Sequence, residues 1–83
     1  MYKKKSNKKG KYTVIVLNDN HNTFEHVTNC LREVCGHNKI QAMQCTNIIH
    51  NTGKCSVYTD KYDDCNDVLD ELTNKGLTVT MVK

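Results

Sequence analysis

Apolar positions along this chain fall into short strand-like runs and helical stripes, separated by polar turns. Tyr12 to Leu17 is β-branched and apolar, the composition of a largely buried strand. Phe24, Val27, Leu31 and Val34 then recur every three or four residues with Gly36 behind them, which predicts a first helix capped by Asn22 or Thr23. A second helix is expected from near Asn38 to Asn51, with Ile40, Met43, Thr46 or Cys45, and Ile49 on its apolar face and Gly53 ending it. From Lys54 to Thr59, Cys55, Val57 and Thr59 alternate with Ser56 and Tyr58, a strand pattern. Asp60 is expected to cap a third helix that turns Tyr62, Cys65, Val68, Leu69 and Leu72 inward. Asp63 and Asp64 would sit at the positive end of its dipole, and Gly76 would stop it. Leu77 to Val82 closes as an alternating strand.

The element order is therefore β-α-α-β-α-β. Each helix has one apolar stripe to bury and each strand needs a partner that is not its sequence neighbour. The expectation is a small two-layer α+β domain, a three-stranded antiparallel sheet covered by three helices. At 83 residues the chain makes one such domain, burying roughly 60 to 65 per cent of its unfolded surface. That leaves little room for a deep catalytic cavity and favours a binding module.

Charge divides the chain in two. Lys3, Lys4, Lys5, Lys8, Lys9 and Lys11 supply half of the basic residues, so the formal net charge of +3 conceals a body from Tyr12 onward that carries about −3. Residues 1–11 lack apolar periodicity and are expected to be a disordered Lys-rich arm, with residues 12–83 as the folded domain. Clustered lysines bind phosphate without sequence preference, so a nucleic-acid reading of the arm is an alternative. The acidic body and the lack of aromatics interleaved with the bases speak against it. No glycine lies between Lys11 and Gly36, where a phosphate-cradling loop would need one. No stretch approaches a secretory signal or a membrane span.

The five cysteines, Cys30, Cys35, Cys45, Cys55 and Cys65, form no Cys-x-x-Cys pair and fall mostly on apolar faces, as reduced core residues do. With no Asn-x-Ser/Thr site, they point to a reducing intracellular compartment. His26 and Cys30 are spaced to share one helix face, and with His21 nearby they raise the question of a metal site or a Cys-His nucleophile. Neither a second ligand pair nor space for a substrate groove supports this, and no cofactor or metal is expected.

The most informative stretch is Leu17-Asn18-Asp19-Asn20-His21-Asn22-Thr23-Phe24-Glu25-His26-Val27, which joins the first strand to the first helix. Its carboxamides and carboxylate suit ordinary turn and capping chemistry, and could also hold a small cation. Together with Val14-Ile15-Val16 before it and Thr46-Asn47-Ile48-Ile49-His50 and Gly53 after it, the stretch resembles the ClpS adaptor family of the Clp protease. The Asn-Thr-Phe-Glu-His-Val and Thr-Asn-x-x-His forms are nearest the cyanobacterial and plastid variant, and the likeness extends from Tyr12 to Val82.

The resemblance implies an adaptor that captures proteins by a bulky hydrophobic N-terminal residue and delivers them to an Hsp100 ATPase, ClpA- or ClpC-like, through that enzyme's N-terminal domain. It implies no enzymatic activity of its own. Asn18, Asp19 and His50 match the family's amine-binding positions. Phe24, Val27, Thr46 and Ile49 match its hydrophobic pocket, and Asn20 and Asn22 lie at the rim. The chemistry fits, because a free α-amine is largely protonated at neutral pH and calls for acceptors and negative charge. The better-known bacterial members carry methionine at the positions of Phe24 and Thr46, and a stiff ring in place of an adaptable thioether implies a narrower choice of first residue. Asn20 replaces a second acid of those members. The cyanobacterial-type motifs and the Lys and Asn bias suggest a plastid-like stroma.

Overall fold

The computed structural model describes residues 9–83, so most of the expected Lys-rich arm lies outside the described residues. The chain forms β1 (Lys11–Leu17), α1 (Phe24–Cys35), α2 (Lys39–Thr52), β2 (Lys54–Lys61), α3 (Tyr62–Asn74) and β3 (Thr78–Val82). β1 is the central strand, paired antiparallel with β2 on one side and β3 on the other. Its Val14 and Val16 are wholly buried beneath the helices. The β1–β2 register shifts between Val14 and Ile15, and at this irregularity Val57 lies between the residues opposite them and enters the core.

The helices close over one face of the sheet. Val27, Cys30 and Leu31 from α1, Ala42, Thr46 and Ile49 from α2, and Cys65, Val68 and Leu72 from α3 meet Val14, Val16, Val57 and Leu77 in one layer. Local chemistry sets the helix ends. Thr23, rather than Asn22, caps α1 by accepting from the backbone N–H of His26 at 3.0 Å, and Asn38 caps α2 by accepting from Gln41 at 2.8 Å. Gly36 and Gly53 end α1 and α2 in the left-handed region, at φ 73° and 101°.

Four expectations are corrected. Asp60 does not cap α3. β2 runs on to Lys61 because Asp60 pairs with Tyr12 and Lys61 with Lys11, and the Asp60 carboxylate accepts instead from the Lys61 N–H at 2.8 Å. α3 starts with no side-chain cap at all. In α2 the buried face is Ala42, Thr46 and Ile49, with Cys45 half-buried, while Ile40 is 69% and Met43 38% exposed. The helix is turned so that its smallest residue faces the core and lets the backbones approach. Leu77 precedes β3 instead of starting it. Its N–H is donated to Leu72 at 3.1 Å, and its side chain is buried. Leu69 and Tyr62 are only partly buried, and Tyr62 meets Tyr12 edge-on at 5.2 Å.

The orientation of α2 has a measurable consequence. Ile40→Ala should change the unfolding free energy in urea by less than about 0.5 kcal/mol. Ala42→Leu, which forces volume between helix and sheet, should cost about 1 to 3 kcal/mol. Comparable losses from both would mean that α2 is turned the other way.

Candidate functional site: a polar-rimmed pocket

Because β1 is antiparallel to both neighbours, its last residue, Leu17, lies between the first residues of β2 and β3, Lys54 and Thr78. The beginning of α1, the end of α2 and the α3–β3 turn gather at the same end. The backbone of Asn18 extends the contact by donating to Gly53 O at 2.8 Å.

Asp19 organises the turn that follows. One carboxylate oxygen accepts from the backbone N–H groups of His21 at 2.9 Å and Asn22 at 3.0 Å. The other accepts from Asn22 Nδ2 at 2.8 Å and from the Thr78 hydroxyl at 3.0 Å. Asn22 Nδ2 also donates to Gly76 O at 2.9 Å. Asp19 and Asn22 thus fasten the β1–α1 turn to the α3–β3 turn more than fifty residues away. Partial burial of Asp19 favours its neutral form, but the donors from Asn22, His21 and Thr78 outweigh it and hold the carboxyl at about 2. The turn carries a fixed negative charge at any physiological pH.

Beside this charge lies a cavity of about 10 Å³ lined by Val16, Leu17, Asn18, Asp19, Asn22, Val27, Ile49, His50 and Leu77. Five of the nine residues are aliphatic and form its floor and walls, and the rest form a polar rim. His50, in the last turn of α2, stacks against Phe24 with ring centroids 5.7 Å apart and planes at 29°. Phe24 therefore borders the site through His50. Thr46 is buried one turn behind, donating to Ala42 O at 2.8 Å. That leaves Thr28 to donate the 2.8 Å bond between the two hydroxyls.

Of the expected site residues, Asn18, Asp19, Asn22, Val27, Ile49 and His50 share the cavity, and Phe24 stands at its edge. Thr46 belongs to the core behind it. Asn20 is exposed and does not line it. Sequence reasoning missed Val16, Leu17 and Leu77 as lining, and Thr78 and Gly53 as supports. The alternation of β1 would have flagged Val16, and the alignment of strand ends Leu17, but no local pattern marks Leu77.

The Cys-His alternative fails on hydrogen-bond roles. His26 Nε2 donates to Lys75 O at 2.8 Å, so its proton is on that nitrogen and no lone pair remains there for the Cys30 thiol 3.5 Å away. Burial also pushes the Cys30 thiol up, despite the nearby Lys75 charge. Among the described residues no three His, Cys, Asp or Glu side chains are arranged to hold a metal ion.

The site thus sets a small apolar pocket beside a carboxamide, a carboxylate and an imidazole. Comparison with known proteins gives the chain a family. The family model described as ATP-dependent Clp protease adaptor protein ClpS matches residues 7–80, and the chain belongs to that family. It is 35% identical over 69 residues to the ATP-dependent Clp protease adapter protein ClpS of Thermosynechococcus vestitus, covering 82% of this chain and 73% of that protein. Against the Nostoc sp. protein of the same description the identity is 36% over 69 residues, covering 82% and 71%. In fold the chain is similar to Agrobacterium tumefaciens ClpS2, solved bound to L-phenylalaninamide. The TM-score is 0.74 at 23% identity, covering 86% of this chain and 93% of that one. As the family description states, its members are adaptors of the protease.

The Asp19 hub predicts acid sensitivity. Its pKa in the fold, about 2, lies below the usual 3.8. The stabilisation is therefore complete above about pH 4 and is lost as the pH falls toward 2. Asp19→Asn should flatten that part of the stability profile. Asp19→Ala, which strands several donors, should cost about 1 to 3 kcal/mol at neutral pH. A wild-type pH profile superimposable on that of Asp19→Asn would contradict the hub.

Proposed function

We propose that this chain binds the free N-terminal residue of cargo proteins when that residue is bulky and hydrophobic, and delivers the cargo to a Clp ATPase. The observation that carries the reading is that Asn18, Asp19 and His50 share one cavity with Val27, Ile49 and Leu77. A first residue has the matching two-part chemistry, a cationic amine joined to an apolar side chain. The fold neighbour solved with L-phenylalaninamide lends support, since that molecule has a free amine and a benzyl group.

The geometry divides the labour at the rim. Asp19 already accepts four hydrogen bonds, about the capacity of a carboxylate. Its role is to supply negative charge at close range, while the Asn18 carboxamide oxygen and the His50 imidazole take the amine's protons directly or through water. A cavity of about 10 Å³ is about the size of one water, so a Leu or Phe side chain enters only when the Phe24–His50 stack swings open. Phe24 is on this reading the gate, and its stiffness disfavours branching at Cβ. Asn20 and Asn22 flank the mouth, and Thr46 backs the wall behind His50.

The receiving partner would be the N-terminal domain of a ClpA- or ClpC-like Hsp100 unfoldase. The cyanobacterial relatives support a plastid-like stroma as the compartment. Nucleic-acid binding would rest on the Lys-rich arm, most of which lies outside the described residues, and no observation favours it.

Peptides beginning with Phe, Tyr, Trp or Leu should bind in the micromolar range or tighter, and acetylation of their amine should weaken binding roughly 10- to 150-fold. Fluorescence anisotropy with paired peptides decides this, and equal binding of the two forms would refute the proposal. His50→Ala, an exposed position, should lose binding while keeping its melting temperature.

The gate is tested by Phe24→Ala. It should raise the affinity for first-residue Ile and Val relative to Leu by roughly 5- to 150-fold, the value of one misplaced methyl. A core role alone would leave that ratio unchanged and lower stability instead.

A further inference from the structure

On the far side of Phe24 from the amine site runs a second depression, between α1 and α2. It holds about 260 Å³ and is lined by Phe24, Glu25, Thr28, Arg32, Lys39 and Met43, among others. We propose that this groove receives the second and third residues of the captured polypeptide and favours an acidic side chain there. The proposal rests on the amine-site reading and adds a specificity that the pocket itself does not contain.

Continuity is the first argument. Phe24 is a wall of the groove and also stacks on His50, which lines the amine cavity. A chain whose first residue is held behind that stack passes over its edge. Two more residues reach about 7 Å when extended, and α1 rises about 6 Å from Phe24 to Thr28. The volume suits one or two side chains, being below the range of drug-sized pockets.

Charge is the second. The folded body is acidic overall, yet this groove holds two cations, Arg32 and Lys39, against the single carboxylate of Glu25. Lys61 and Lys75 are engaged by Asp64 and Glu33. Arg32 and Lys39 have no such ion pair among the described residues. Lys39 also opens α2, whose first turn contains no acid, so the helix dipole adds to the positive potential. Met43, 38% exposed, offers an adaptable apolar contact beside the charges.

The test uses labelled peptides that all begin with Phe and carry Asp, Ser or Lys at positions two and three, each with an acetylated control. At low salt the Asp peptide should bind about two- to fivefold tighter than the Lys peptide, the usual worth of an exposed ion pair. The gap should narrow at about 0.5 M salt. Arg32→Gln with Lys39→Gln should abolish the preference, and Arg32→Glu with Lys39→Glu should invert it, with melting temperatures confirming that the variants fold. Binding that depends on the free amine but keeps its ranking in both double variants overturns the groove alone. Binding indifferent to acetylation overturns the amine site and the groove assignment with it.

Discussion

Everything at the pocket end of this molecule depends on β1 being the central strand and antiparallel to both neighbours. The pairing fixes Leu17 between Lys54 and Thr78, so segments from the beginning, middle and end of the chain meet in one place. β1 holds that position because it is the most thoroughly apolar strand. Val14 and Val16 are buried under the helices, and pairing on both edges satisfies the backbone of this covered strand.

The convergence would bring together several irregular turns with unmet polar groups, and Asp19 resolves this. A single carboxylate accepts two backbone and two side-chain donors, and Asn22 extends the network to Gly76. The same bonds that tie the turns together hold the carboxyl ionised, so structural support and the negative charge of the site come from one residue. The Thr28–Thr46 hydroxyl pair applies the same logic in the core. Thr46 gives its proton to Ala42 and accepts from Thr28, so neither buried hydroxyl donor is left unsatisfied.

The cysteines belong to the fold rather than to the chemistry. All five are free thiols. Burial, aided by neighbouring thiols, pushes Cys35 up to about 12 and Cys55 to about 11. Such thiols are neutral at physiological pH and behave as small apolar residues.

The sequence by itself determined the kind and order of the elements, because periodicity, caps and left-handed glycines act within about one helical turn. Gly36 and Gly53 end their helices as expected, Thr23 is one of the two caps its context offered, and α2 starts at the expected Asn38. Through the resemblance of two short segments to the ClpS family it also marked Asn18, Asp19, His50, Val27 and Ile49 as candidates. Only the tertiary structure decided how those segments face one another. α2 has apolar residues around much of its circumference, so its pattern left the buried side open, and close packing selected Ala42 over Ile40 and Met43. Asp60 has the chemistry of a cap, but pairing with Tyr12 drew it into β2. Leu77 and Thr78 enter the site because β3 aligns beside β1, a relation between residues some sixty positions apart that no local pattern encodes.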